Sequence, residues 1–322
     1  MVEGRRQGRI ALCLLAACGS APPAEHVGTR VGPALSAALG VFDEARAPIQ
    51  CVSSGTLVDE TFTLSRAWKL TGTTATADGS GPFTIGLIAD AGGAAAATLA
   101  ALGRLQTQLG DADLILALGG MGATQAELEA TLGTLADRAK GPVIAIAGDL
   151  EAVPALTKAI AQLRARKKLV FDGRLARTIE LPGATIRTLP GSRSPARLVA
   201  GPDGCGYTAD QVSALFAELT ARPGLRILAS AEAPRTLVNG EAAGELAVTP
   251  GALTEIDLIV HGPITEAPSP GKTGTRDGAA TALTPGSSDA TTRLPDPGRK
   301  PSAGLLTIDG TTWKWKPLVD TP

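Results

Sequence analysis

The chain has 322 residues, 44% of them hydrophobic and 19% charged, with a mean hydropathy of +0.15, so it can bury a large core in one or two domains and is not generally disordered. A formal charge of −1 excludes an electrostatic partnership with nucleic acid, and an aromatic content of 3% leaves little material for rows of stacking rings. Only His26 and His261 are histidines, which excludes chemistry that needs several imidazoles.

In chain order, Arg5, Arg6 and Arg9 precede a short apolar run from Ile10 to Ala17, the layout of an export signal and too short to span a bilayer. The run closes as Leu15-Ala16-Ala17-Cys18-Gly19, which resembles the lipobox of bacterial lipoproteins. That resemblance implies loss of a signal peptide over residues 1–17 and a mature chain beginning at lipidated Cys18. The body is then a domain tethered to a membrane in the bacterial cell envelope, periplasmic or surface-exposed. The alternative is an ordinary secretory signal with a chance cysteine. Cys13 leaves with the leader, so Cys51 and Cys205 remain for an oxidising compartment, either as a disulfide or as two separate thiols. Neither belongs to a CxxC pair, which argues against structural zinc.

Residues 18–80 read as a tether and N-terminal extension, rich in Gly, Ala and Pro up to residue 33, with a short helix over Leu35–Ala45 and strand-like alternation over Thr61–Thr74. A domain over residues 81–318 follows. Phe83–Ile88 predicts a strand and the leucines 99, 102, 105 and 109 a helix. Leu114–Leu118 predicts a second strand, and Thr124 with Glu127 a capping-box start to a helix carrying Leu128, Leu132 and Leu135. Val143–Ile146 and a helix from Val153 to Arg166 complete three βα units, which predict a mostly parallel sheet. Shorter strands are expected at 168–171, 176–180 and 184–188. Thr208 with Gln211 opens a helix that Pro223 ends, and strands follow at Arg226–Ser230 and Asp257–His261. Residues 266–303 read as a long Pro/Gly-rich loop, mostly without regular structure around a short apolar piece at 280–283, and the Ile308–Thr311 turn opens a strand in which Trp313 and Trp315 alternate with Lys314 and Lys316. Two tryptophans closing a core edge is the simpler reading of that face.

The turns that end these strands, carrying Asp90, Gly120, Asp149, Ala231 and Pro263, fall in an order that resembles the calcineurin-like metallophosphoesterases over residues 83–316, with five blocks written D-x-H, G-D, G-N-H-D/E, a strand ending in His, and G-H-x-H. The resemblance implies an α/β fold, an α/β/β/α sandwich of two mixed sheets flanked by helices, with a two-metal centre that activates water on a phosphoester. Asp90 matches the first aspartate, but Gly92 replaces the histidine after it and Gly120 the bridging aspartate. Asp149 and Leu150 stand for Asn and the catalytic His, Ala231 for the fourth-block His, and Pro263 and Thr265 for the last two. His261 lies one residue before the fifth block's glycine, off the ligand register. Thr284-Pro285-Gly286-Ser287 resembles a turn that family members often carry after the fifth block.

Gly, Ala, Leu and Pro side chains donate nothing to a metal, so the resemblance implies a degenerate member with no cofactor and no catalytic residue. What remains is a binding or structural role, for an envelope protein or a small ligand, in a cleft made roomier by the losses. The alternative is a residual hydrolase with a mononuclear site rebuilt from Asp90, Asp149, Glu151 and His261, one divalent cation sitting near Asp90 and Asp149. The bland roles are also defined: Asp90 and Asp149 as caps of following helices, Glu151 and Glu232 as solvated groups, and His261 as a hydrogen-bonded core or rim residue. Of two phosphate-binding motifs, the first is rejected and the second is weak. Gly271-Lys272-Thr273 lacks the earlier glycine of a P-loop, which is Glu266. Gly119-Gly120-Met121-Gly122 is a main-chain anion cradle without the full glycine spacing.

Overall fold

A computed structural model describes residues 47–52, 55–234, 236–238, 241–243, 255–263, 271–274, 280–291 and 299–321. The leader 1–17, Cys18, the helix expected over Leu35–Ala45, and Thr265 lie outside the described residues. The chain runs through β1 (Ile49–Gln50), β2 (Glu60–Thr63), β3 (Ala67–Thr71), β4 (Thr74–Ala77), β5 (Phe83–Ile88), α1 (Ala96–Leu109), β6 (Leu114–Leu118), α2 (Gln125–Ala136), β7 (Val143–Ile146), α3 (Val153–Ala165) and β8 (Val170–Asp172). It continues through β9 (Thr178–Leu181), β10 (Ala184–Leu189), β11 (Cys205–Gly206), α4 (Ala209–Thr220), β12 (Leu225–Ser230), β13 (Thr236–Val238), β14 (Glu241–Ala243), β15 (Leu258–His261), β16 (Gly271–Gly274), β17 (Thr281–Thr284), β18 (Ser302–Asp309) and β19 (Thr312–Val319).

Strands such as β6 and β7 are buried at every residue, so each face needs a covering layer. Two mixed sheets and four helices provide those layers. The six-stranded sheet has the order β19-β18-β5-β6-β7-β8, with β5 to β8 parallel and the C-terminal hairpin antiparallel against β5. The nine-stranded sheet has the order β16-β17-β15-β12-β10-β9-β4-β3-β2, with β10, β12, β15 and β17 parallel.

Side-chain alternation divides the core in three. Ile85, Leu87, Leu116 and Ile146 of one sheet meet Ile186, Ile227, Leu258 and Val260 of the other. On the far face of the six-stranded sheet, Ile88, Ile115 and Ala145 lie under Leu102 and Leu105 of α1, Leu128 and Leu132 of α2, and Leu156 and Leu163 of α3. Leu228 and Ile259 pack against Val212, Leu215 and Phe216 of α4. The result is the expected α/β/β/α sandwich. Both capping boxes are formed, Thr124 with Glu127 on α2 and Thr208 with Gln211 on α4. No helix among the described residues is long and apolar enough to cross a membrane.

Two boundaries change. The domain does not start at residue 81, because β2, β3 and β4 extend the nine-stranded sheet through β4 beside β9, and Trp68 and Leu70 fill its core face. Alternation of Ala, Trp, Leu and Thr there marks half-buried strands, which an extension without a core would have no use for. Nor is 266–303 a loop throughout, since β17 pairs with β15 and β16 with β17. Trp313 and Trp315 cover the core edge as expected, with Trp315 lying over Gly304 so closely that a Cβ there would fall 1.8 Å from its ring.

Candidate functional site

The five turns meet at one end of the sandwich. After β5, the Asp90 N–H donates to the Gly119 carbonyl and the Gly92 N–H to the Gly120 carbonyl, both at 2.8 Å, which ties the first turn to the second. A Cβ built on Gly119 would lie 2.8 Å from the Ala231 Cβ and 3.0 Å from the Gly148 Cα, so the second, third and fourth turns touch. The fifth joins them at Gly262, where a Cβ would meet the Ala231 carbonyl at 2.4 Å and the Leu118 carbonyl at 2.9 Å. Leu150, Ala231 and Pro263 are half-buried there and Asp149 is exposed.

This close approach changes the meaning of the substitutions. Gly92 and Gly120 sit at φ +64° and +71°, and a Cβ on Gly120 would stand 2.8 Å from the Asp90 Cα and 3.2 Å from its Oδ1. The main chain has closed over the place where a bridging aspartate would project. The cleft is therefore tighter than the side-chain losses imply, which corrects the expectation of a roomier one.

Glu151 fills the space between the second and third turns. Its Oε1 accepts the Met121 N–H at 2.6 Å and its Oε2 the Gly148 N–H at 2.8 Å, and the Gly120 N–H also supports it. The residue is 1% exposed, so it is not the solvated group expected from its position beside Asp149. Burial pushes its carboxyl up to about 7, against the pull of those main-chain donors, and the nearby Asp149 charge pushes the same way as burial. The Met121 and Gly148 N–H groups are thus taken by a side chain of the chain itself.

Asp90 adopts φ +50°, the left-handed region that few side chains enter. Its carbonyl accepts the Asp289 N–H and the Ser287 hydroxyl, while Ser288 serves the Ala89 carbonyl, so the segment after β17 is stitched along the end of β5. Burial raises the Asp90 carboxyl, with Ser287 and the Arg299 charge opposing and Asp289 and Asp149 adding to the rise. Neither Asp90 nor Asp149 caps a helix. The N-cap of α1 is Ala95 and that of α3 is Ala152, both without a side-chain bond, because several residues of turn separate each aspartate from its helix.

A second polar cluster lies at the ends of β10 and β12. Glu232, half-buried and not solvated as expected, accepts the Tyr207 hydroxyl, the Ser192 hydroxyl at 3.1 Å and the Arg193 N–H at 3.4 Å. Burial raises its carboxyl, with Tyr207 and Ser192 opposing. His261 is fully buried opposite Ser230. Its Nδ1–H donates to the Gly262 carbonyl at 2.6 Å, and its Nε2 has no partner among the described residues. Burial lowers it to about 4, so the imidazole is neutral at pH 7, a core residue as expected. Tyr207, Ser192 and the Glu151 cradle were not legible as a site, since no spacing rule connects them.

Cys51 and Cys205 form a disulfide, with Cα atoms 5.6 Å apart, both buried. It holds β1 beside β11 and fixes a loop that returns to the third turn through Gly191 N–H to the Ala147 carbonyl and Ala200 N–H to the Asp149 carbonyl.

A two-metal centre needs a bridging carboxylate and several further donors. Among the described residues, no three His, Cys, Asp or Glu side chains gather to hold a metal ion. Gly120 offers no bridge, Glu151 is committed to main-chain N–H groups, and His261 is directed to Gly262, so the residues present do not fit such a centre.

No protein-family model matches the chain, and no curated protein is similar to it in sequence. Solved structures match it by shape. One aligns over 74% of this chain and 100% of its own, with a TM-score of 0.54 at 11% identity. A purple acid phosphatase, PPD1 from yellow lupin seeds, aligns over 78% of this chain and 56% of its own, with a TM-score of 0.50 at 9% identity. A metallophosphoesterase from Sphaerobacter thermophilus aligns over 74% of this chain and 90% of its own at 15% identity, with a TM-score of 0.35. At such identities the likeness shows the fold alone, and at TM-scores of 0.54 and 0.50 it is an α/β sandwich shared with the purple acid phosphatase.

Proposed function

We propose that the chain is a lipoprotein of the bacterial cell envelope, anchored through lipidated Cys18, in which a metallophosphoesterase-like sandwich serves binding or structure and not hydrolysis. The observation that carries this reading is Glu151. A hydrolase of this fold would gather donors around metal ions between these turns, whereas here a buried carboxylate binds the main-chain N–H groups of Met121 and Gly148 in that space. Leu150 removes the imidazole that would protonate a leaving group, and Gly92, Ala231 and Pro263 add no nitrogen. Without an activated water or an acid, a phosphoester held at the strand ends would stay intact. A partner protein or small ligand would meet the rim, where Asp149 is exposed and Leu150, Ala231 and Pro263 are half-buried.

The rival, a mononuclear hydrolase using Asp90, Asp149, Glu151 and His261, asks Glu151 and His261 to leave the main-chain partners that hold them. The full chain, purified in detergent and loaded with Mn²⁺, is expected to release no nitrophenol from p-nitrophenyl phosphate or its bis ester above a no-protein control. Steady turnover that Asp90→Ala abolishes would overturn the reading. The anchor is tested separately by mass spectrometry of the mature N-terminus, expected to show acylated Cys18; an unmodified chain that Cys18→Ser leaves unchanged in the membrane fraction would remove it.

A further inference from the structure

We infer that the turn Gly119–Met121, together with the Gly148 N–H, is an oxyanion site whose resident ligand is the chain's own Glu151 carboxylate. The inference rests on the non-catalytic reading above and says what has taken the place of a metal-held centre in joining these turns. Two consecutive left-handed glycines, Gly119 at φ +77° and Gly120 at +71°, shape the turn that presents the Met121 N–H to the carboxylate. Oε1 takes Met121 at 2.6 Å and Oε2 takes Gly148 at 2.8 Å, so one carboxylate bridges the turn after β6 and the turn after β7.

Shape supports the assignment alongside the hydrogen bonds. A Cβ on Gly148 would press to 3.2 Å from Oε2 and equally close to the Gly119 Cα, so the site has room for the carboxylate and for no added side chain. Glu151 is tethered three residues from one of its donors, Gly148, which gives it an effective concentration that a free anion cannot match. A phosphate or carboxylate from solution is therefore shut out of this turn in the native protein, and a ligand of the rim has to be held by other groups. Removing the side chain should open a site for small oxyanions of the size of formate or acetate.

The test is chemical rescue in the full chain. Glu151→Ala is expected to melt well below the wild type in chloride. Replacing chloride by formate or acetate at equal ionic strength is expected to recover a large part of that loss, saturably, while the wild type does not move. Glu151→Gln, which keeps one acceptor oxygen, should fall between the two and respond weakly. If neither variant folds, hydrogen exchange on the wild type decides: the Met121 and Gly148 amides are expected among its slowest. Equal formate and chloride melting curves for Glu151→Ala would overturn the assignment, and so would Met121 and Gly148 amides that exchange as fast as exposed ones. Failure here leaves the nitrophenyl phosphate assay untouched. Turnover by the wild type would refute the non-catalytic reading without altering the rescue result.

Discussion

Restoring the missing bridging aspartate, Gly120→Asp, tests whether the site is a truncated metal centre or a rebuilt one. Were only a side chain missing, the change would return a ligand next to Asp90 and metal binding would follow. The structure opposes this in two ways. A non-glycine residue at φ +71° costs roughly 1–2 kcal/mol, and the new Cβ, 2.8 Å from the Asp90 Cα, meets main chain that cannot rotate aside, a packing conflict of about 1–3 kcal/mol. Together they give about 3 kcal/mol of destabilisation, or roughly 6–12 °C in melting temperature for a domain of this size. Two assays read the outcome: thermal unfolding with and without Mn²⁺, and metal content after dialysis. The expected result is a lower midpoint that Mn²⁺ does not restore, with no retained metal. A variant within about 0.5 kcal/mol of the wild type, or one holding stoichiometric Mn²⁺, would refute the claim that the main chain has closed.

Two buried groups should give the domain opposed pH responses. Glu151, raised to about 7 in the fold, holds more protons folded than unfolded between about 4.5 and 7, so it favours the fold at low pH and loses up to about 3 kcal/mol of that as pH rises through the window. His261, lowered to about 4, binds fewer protons folded than unfolded between about 4 and 6.5, so its share grows with pH by a similar amount. Relative to the wild type, urea midpoints between about pH 4.5 and 6.5 should tilt upward with pH in Glu151→Gln and downward in His261→Asn; parallel curves for all three would contradict both shifts. Gly304→Ala should displace the Trp315 ring, with a loss of at least about 2 kcal/mol and a red-shifted tryptophan emission, since its Cβ would fall 1.8 Å from that ring. Removing the disulfide with Cys51→Ser and Cys205→Ser together opens a loop between residues 154 apart in sequence, and about 4–5 kcal/mol of stability should go with it, read as a fall in melting temperature that a reductant reproduces in the wild type.

The βα units were legible because their signals are local. Thr124 with Glu127 and Thr208 with Gln211 mark helix starts within three residues, and runs such as Leu114–Leu118 can only be strands covered on both faces. The order of the glycine turns placed Asp90, Gly120, Asp149, Ala231 and Pro263, and the fold brings those turns together. What stayed hidden depends on contacts distant in sequence. Glu151 looks like a solvated acid beside Asp149, and its burial follows from N–H groups some 30 residues away at Met121, aimed by glycines whose φ the sequence does not state. Glu232 and Tyr207, 25 residues apart, have no shared motif. The strands at 60–77 were read as an extension because their partner, β9, lies about a hundred residues on.

The hairpin of β18 and β19 lies beside the first strand of the βα series. Residues 304–308 pair with Phe83–Leu87, and Asp320 clasps Arg104 through two bonds of 2.8 and 2.7 Å. Until β18 has been made and has paired, that flank of β5 presents unpaired amide and carbonyl groups, and the nascent sheet has an open edge prone to mispairing. Synthesis therefore cannot complete this domain piecemeal. A chain that stops before Ser302 would lack both strands of that hairpin, leave β5 as an open edge, and be a ready substrate for chaperones and proteases.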